Sequence, residues 1–385
     1  MRRTDVALRN LSLLALVLAL AATACGAVHE NASAPPVAHP RGIYSVGANV
    51  FGLGDEPVRL AAPPVAPLAG WLTPAAVPSP DHRYLAYNAW HELRPDDPAL
   101  SWSDQGIERG DALATPSIRL YDTAARTDAP LEEGAFSLAW RTDGALAYFK
   151  GTERDYRAGV MYEGDILVRP SLGAEPVKWS SGQARYIVAG WARGTLIAYR
   201  EREGEALDVL AFDGPGRMRV LAPDSALVAI SPDGRQTFVE QGPAQGRPTV
   251  RVLDVASSKQ VARLDLTRVD PALGAVGYTG DWRGDRILAS SASGLAVFRV
   301  GPKTIALEQA LRVKSPGLSE PRFADASQRH VLAWASTASG GVLFDCDRTS
   351  GRCARFAPLA NARGVHGFPV WRRPLYNPSR PLQEG

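Results

Sequence analysis

Ser231-Pro232-Asp233-Gly234-Arg235 gathers a hydroxyl, a carboxylate and a guanidinium in one short run, groups from which hydrolytic and acid–base sites are assembled. Such chemistry needs partners, and the chain offers few. Its six histidines are His29, His39, His82, His91, His330 and His366. No Gly-x-Ser-x-Gly elbow occurs. His91-Glu92 lacks the second histidine of a His-Glu-x-x-His zinc site, and Pro95 opposes a helix there. Asp96, Asp97, Asp104, Glu108 and Asp111 miss the spacing of a calcium loop with its central glycine and final glutamate. The sequence therefore assigns no catalytic residue, no metal site and no cofactor. Chemistry assembled from separate segments stays open as an alternative.

The elements around these residues read as strands. Segments such as RYLAYNAW (83–90), SIRLYD (117–122), GTLIAYR (194–200) and GLAVFRV (294–300) have the residue types and length of strands, and turn residues bound many of them. With 36 glycines and 30 prolines in 385 residues, many short elements joined by turns are expected rather than a few long helices. The Ser-Pro-Asp-Gly-Arg run then reads as a turn: proline fixes one backbone angle, aspartate accepts from the turn backbone, and glycine permits positive φ.

Variants of this strand–turn–strand pattern recur at VPSPDHRYLAY (77–87), LAWRTDGALAYF (138–149), VKWSSGQARYIVAG (177–190), VAISPDGRQTFV (228–239), GDWRGDRILAS (280–290) and PRFADASQRHVLAW (321–334). The first spacing is about 60 residues and later ones roughly 40 to 50, the length of a four-stranded propeller blade. The pattern resembles the repeat of the TolB-like and WD40-like β-propellers over most of residues 43–373, without the regular Gly-His and Trp-Asp signatures of true WD40 repeats. The expected fold is all-β, a β-propeller of four-stranded antiparallel blades. Seven blades are preferred, with GIYSVG (42–47) and NVFGLGDEPVRLAA (49–62) joining GFPVWRRP (367–374) in the seventh; six is the alternative. Trp140, Trp179, Trp282 and Trp371 hold related places and are expected to pack between sheets.

Residues 1–24 read as an export signal, with Arg2, Arg3 and Arg9 ahead of an apolar stretch too short to span a bilayer comfortably. Ala22-Thr23-Ala24-Cys25 resembles a lipoprotein lipobox, which makes Cys25 the lipid-attachment site; the same residues suit ordinary signal cleavage with secretion of a soluble chain. Residues 25–41 form a tether, 42–373 the propeller and 374–385 a tail. Removing the signal lowers the formal charge from +3 to about +1, and no basic cluster remains for nucleic acid. Cys346 and Cys353 flank a turn and are expected to form a disulfide across a hairpin.

Two insertions remain for function. HELRPDDPALSWSDQGIERGDALATP (91–116) is placed between the second and third strands of the first blade, and KGTERDYRAGVMYEGD (150–165) resembles it. Trp90, Trp102, Arg154, Tyr156 and Tyr162 are the candidate partner-binding residues, an aromatic and arginine mixture common at interface hot spots. The expectation is a membrane-tethered envelope protein that binds a protein, peptide or glycan through one propeller face. An exported lyase or hydrolase using the central cavity and a structural accessory module are the alternatives; oligomeric state is not specified.

Overall fold

The computed structural model describes residues 43–46, 49–53, 57–61, 76–81, 83–90, 100–103, 106–109, 112–113, 116–156, 159–201, 207–241, 247–313, 318–324, 327–337 and 340–355. Cys25, the export signal, the tether, Trp371 and the tail lie outside the described residues. The chain divides into two units, Met1–Pro40 and Arg41–Gly385, and every element below belongs to the second.

This unit opens with a three-stranded sheet of β1 (Ile43–Val46), β2 (Asn49–Leu53) and β3 (Pro57–Ala61). Sheet one begins with β4 (Ala76–Pro78) and β5 (Tyr84–Trp90). A small separate sheet interrupts it, made of β6 (Leu100–Ser103), β7 (Gly106–Arg109) and β8 (Ala112–Leu113). Sheet one resumes with β9 (Pro116–Asp122) and β10 (Thr127–Glu133). Sheet two contains β11 (Ala135–Trp140), β12 (Leu146–Tyr156), β13 (Gly159–Arg169) and β14 (Val177–Lys178). Sheet three contains β15 (Arg185–Ala192), β16 (Thr195–Glu201), β17 (Leu207–Phe212) and β18 (Met218–Ala222). Sheet four contains β19 (Ser225–Ile230), β20 (Gln236–Gln241), β21 (Thr249–Asp254) and β22 (Gln260–Asp265). A one-turn helix, α1 (Leu266–Val269), leads to sheet five: β23 (Val276–Arg283), β24 (Arg286–Ser291), β25 (Gly294–Val300) and β26 (Ile305–Arg312). Sheet six contains β27 (Leu318–Phe323), β28 (His330–Thr337), β29 (Gly340–Asp347) and β30 (Arg352–Arg355).

All six four-stranded sheets are antiparallel meanders paired in chain order, the blades of a β-propeller. The first strands β4, β11, β15, β19, β23 and β27 follow one another side by side and form the inner layer. Antiparallel order puts the 1–2 and 3–4 turns at one end of every sheet. The 2–3 connections and the links between sheets lie at the other. We call these the turn end and the insertion end. The segments expected to start a seventh blade do form three strands, while residues 367–374 lie outside the described residues.

Stacking explains the composition of the strands. A middle strand is covered on both faces by its neighbours, so it reads as a continuous apolar run rather than an alternating one. All of Leu207–Phe212 is buried. Phe149, Ile166, Leu196 and Phe212 pack between sheets two and three. Phe238 and Phe298, with ring centres 5.3 Å apart, do the same between sheets four and five. Each such side chain contributes about 1.5–3 kcal/mol by leaving water.

One repeat is phased differently from the sequence expectation. In VKWSSGQARYIVAG, Val177–Lys178 is the last strand of sheet two and Arg185–Ala192 the first of sheet three. The turn matching the others is thus Arg193-Gly194. Trp191, not Trp179, is the counterpart of Trp140 and Trp282, each near the end of a first strand. Trp179 still packs between sheets, edge-on to Trp191 at 5.4 Å. On sheet six Cys346 and Cys353 are directly opposite across β29 and β30 and form the expected disulfide.

Candidate functional site

At the turn end the hydroxyl–carboxylate pairs are consumed by the backbone. Ser231 Oγ donates to Asp233 Oδ1 at 2.7 Å and accepts from Gln236 N at 2.9 Å, while Arg235 N donates to Asp233 Oδ1 at 3.0 Å. Sheet one repeats this with Ser79, Asp81 and Tyr84: Ser79 Oγ donates to Asp81 Oδ1 at 2.5 Å and accepts from Tyr84 N at 2.9 Å. The Arg235 amide and Ser231 hydroxyl hold the Asp233 carboxyl below the usual carboxylate range, and Ser79 does so for Asp81. These groups stay ionised and bonded, the opposite of a poised acid or base. Gly234 is required on two counts: its φ is +64°, and a Cβ would stand 2.5 Å from Arg193 N of the neighbouring sheet. Arg193 Nε donates to Asp233 O at 2.8 Å, so the turns also fasten one sheet to the next.

The insertion end is built differently. The segment with β6, β7 and β8 joins the second strand of sheet one to its third, as the sequence predicts. The second insertion occupies the same connection in sheet two, where β12 and β13 run on as one hairpin of 11 residues per strand. Sheets one and two are neighbours, so both insertions leave the same end side by side. From the Lys150–Asp165 pair to the tip pair Tyr156–Gly159 the ladder is unbroken, a reach of about 20 Å at 3.3 Å per residue.

Glycine sets the base of this hairpin. Gly151 and Gly164 are directly opposite, and a Cβ on Gly164 would come 2.0 Å from Lys150 O and 2.4 Å from Gly151 Cα. Gly151 N donates to Gly134 O at 2.9 Å on one side. Gly164 and Ala184 exchange two bonds of 3.1 Å on the other. Backbone bonds to the links before and after sheet two thus form a collar around the departing hairpin. Only a residue without a side chain permits so close an approach.

The candidate residues fall along these elements. Trp90 ends β5, Trp102 lies in β6, Arg154 and Tyr156 in β12, and Tyr162 in β13. Their backbone positions are described; their side chains lie outside the described set. Register separates them: Arg154 and Tyr156 oppose Met161 and Gly159, whereas Tyr162 opposes Glu153, at a position of the other parity.

Beneath the insertions lies a polar floor that sequence reading missed. Ser137 Oγ accepts from Val188 N at 2.7 Å and donates to Val188 O at 3.2 Å, and Ser137 N donates to Asn88 Oδ1 at 3.1 Å. This ties sheets one, two and three together near the insertion end. Ser137 sits in a bulge with φ +60° and is fully buried. Register shifts interrupt the first strands of sheets two to six, and a bulge frees backbone groups for such cross-sheet bonds. Toward the rim, Glu132 of sheet one takes bonds from Tyr148 Oη at 3.0 Å, Arg169 Nη2 at 3.1 Å and Lys150 Nζ, all in sheet two. Burial opposes its charge, but these three donors prevail and hold it below its usual range. On sheet three Arg185 and Glu201 pair at 2.7 Å with about a tenth of each side chain exposed.

One acid departs from this pattern. Glu240 on β20 is 5% exposed, and its Oε1 accepts from Val276 N of sheet five at 3.0 Å. Burial pushes its pKa up to about 8, against the weaker effect of that bond. Strand alternation pairs it with Phe238, yet both faces of β20 are covered, so period-two patterning could not single it out. Among the described residues no group of three or more His, Cys, Asp or Glu is arranged to hold a metal ion. No described helix is long and apolar enough to cross a membrane.

No family model matches the chain, and no curated protein matches its sequence. Solved structures do match its fold. An oligogalacturonate lyase from Vibrio parahaemolyticus has a TM-score of 0.50 at 11% identity, covering 80% of this chain and 92% of that one. TolB from Acinetobacter baumannii gives 0.42 at 12%, covering 81% and 61%, and the acylaminoacyl peptidase of Pyrococcus horikoshii 0.46 at 13%, covering 80% and 47%. The chain thus spans less than two thirds of the last two. The likeness is one of fold: this chain is a β-propeller.

Proposed function

We propose that this chain is an exported propeller that engages a macromolecular ligand at its insertion end. One observation carries the reading: two insertions leave adjacent sheets from the same connection, one as a collared hairpin reaching about 20 Å beyond the sheet. A protein, peptide or glycan suits such a rim, and lipidation of Cys25 would keep the protein in the cell envelope. A photocrosslinking residue replacing Arg154 or Tyr156, compared with one replacing Ser257 at the turn end, tests it in exporting cells. Adducts from the hairpin positions alone are expected; equal yields from both ends refute the assignment.

A second reading is an exported lyase or hydrolase working at the same end. The oligogalacturonate lyase above matches over 92% of its length, so a lyase can consist almost wholly of this fold. Incubating the purified protein with acidic oligosaccharides and following new unsaturated ends by ultraviolet absorbance separates the two. Turnover that is lost when the hairpin is trimmed favours the enzyme, and saturable binding without turnover favours recognition.

A further inference from the structure

We infer that the insertion end of sheets four and five is a seat for an acidic segment of a partner protein, gripped by Arg247, Arg251, Arg263, Arg268 and Arg312. The inference rests on the reading above, that a macromolecule docks at this end, and gives it a second contact region with its own chemistry.

The arginines come from three separate stretches of chain, so no run of the sequence displays them. Folding brings them to one place. Thr249 and Asp265 form the last pair of β21 with β22 at the insertion end, and Arg251 stands opposite Arg263 two residues further in. Arg247 precedes β21, Arg268 lies in α1, and Arg312 ends β26 opposite Gly294 at the same end of sheet five. Arg312 Nη2 pairs with Asp270 Oδ2 at 3.4 Å, which ties sheet five to the link that follows α1.

Charge here is unbalanced. Asp265 and Asp270 are the acids of these stretches, and each is engaged by its own turn. Asp265 Oδ1 accepts from Thr267 N at 3.0 Å and Thr267 Oγ1 at 2.7 Å, and Asp270 Oδ1 accepts from Ala272 N at 3.0 Å. Their pairs with Arg247, Arg268 and Arg312 are loose, at 3.9, 3.4 and 3.4 Å. These three arginine side chains are 67%, 77% and 66% exposed, against 21% for Asp265 and 17% for Asp270. The surface therefore presents guanidinium rather than carboxylate, and exposed pairs of this kind are weak enough for an incoming carboxylate to replace. Glu240 does not restore the balance, because burial raises its pKa to about 8 and keeps it largely protonated at neutral pH.

Arg251 and Arg263 are the heart of the seat. On sheets one to three, half-buried charges meet their opposites: Arg119 with Asp128, Arg185 with Glu201, Arg200 with Asp208. On sheet four an arginine stands directly opposite an arginine, an arrangement that costs stability. Arg251 Nη2 donates to Ser225 Oγ at 2.8 Å, and its buried Nε has no acceptor among the described residues. Burial and the Arg263 charge both hold the Arg251 guanidinium below the usual arginine range. A carboxylate set between the two guanidiniums offsets both charges, with the planar geometry that arginine favours.

The composition of the patch selects the kind of partner. Stretches 247–251 and 263–270 contain no aromatic residue, whereas bases and sugar rings are commonly held on aromatic faces. Arginines grouped around a small apolar contact suit an acidic peptide segment, and Val269, 43% exposed beside Arg268, is that contact.

Fluorescence anisotropy of the purified protein with a labelled oligoglutamate peptide tests the assignment. Saturable binding is expected, weakened at least about tenfold by Arg251→Gln with Arg263→Gln and by Arg268→Gln with Arg312→Gln. Arg235→Gln at the turn end should leave it unchanged. Arg263→Gln alone relieves the like-charge pair, so it should weaken binding while keeping or raising the thermal midpoint. The assignment is overturned if no saturable binding occurs, if the insertion-end variants bind as the parent does, if Arg235→Gln weakens binding equally, or if an oligouronate is preferred to the peptide. Hairpin photoadducts in exporting cells are read separately. Their presence together with unaltered binding in the arginine variants removes this seat alone, and their absence removes the docking reading itself.

Discussion

The two ends of the propeller solve different problems with the same residue types. At the turn end, hydroxyls and carboxylates are spent within a few residues of one another, as Ser231 and Asp233 are in their own turn, while guanidiniums such as that of Arg193 fasten one turn to the next. At the insertion end the polar bonds join groups of different sheets, as Ser137 does with Asn88 and Val188, or Glu132 with Lys150. Reactive-looking composition therefore points away from the candidate site here. The run richest in such groups is the most fully satisfied, and the candidate site is marked by length and glycine instead.

This contrast can be tested, starting with its largest effect. Gly164→Val is expected to break the collar and cost about 3 kcal/mol, because the new side chain meets backbone that has no room to move. Thermal unfolding and ligand capture should both suffer. If stability is unchanged, the hairpin is not held at its base.

Glu240→Gln is next. The folded pKa of about 8 lies above the ordinary 4.5. Native stability is fully present below pH 4.5, falls as the unfolded chain ionises while the folded chain keeps its proton, and levels off above pH 8. The glutamine variant should lack this slope and be more stable at pH 7 by on the order of 2–3 kcal/mol. Denaturant melts from pH 4 to 9 check this, and parallel slopes in the two proteins contradict it.

Asp233→Ala removes a turn acceptor and is expected to cost about 1–2 kcal/mol, with ligand capture untouched. A loss of capture without a loss of stability would move function to the turn end. The smallest effect on stability is expected from Arg154→Ala with Tyr156→Ala, within about 0.5 kcal/mol of the parent but at least about tenfold weaker in capture. Glu153→Ala with Tyr162→Ala, at the other parity, shows which side of the hairpin meets the ligand.

The repeating turns were legible because proline, aspartate and glycine act within a few residues, and five of the six aligned repeats have the expected phase. The link Trp179–Ala184 mimicked a turn because Ser180, Ser181 and Gly182 supply turn chemistry, while the real turn at Arg193-Gly194 has no aspartate. The placement of the first insertion could be read from its length. That both insertions share one end could not, since it depends on counting strands correctly through sheets one and two. Glu240 and the Gly151–Gly164 pair depend on what lies across a sheet boundary or a ladder, information that no local window contains.

The register shifts in the first strands also bear on solubility. A strand edge invites pairing in proportion to the unbroken run of donors and acceptors it presents. In sheets two to six the inner edge kinks before such a run can build up. β1 has no such kink, with its four pairs to β2 in continuous register. Straightening one of the shifted inner edges by substitution should therefore raise clumping during expression, independently of any change at the insertion end.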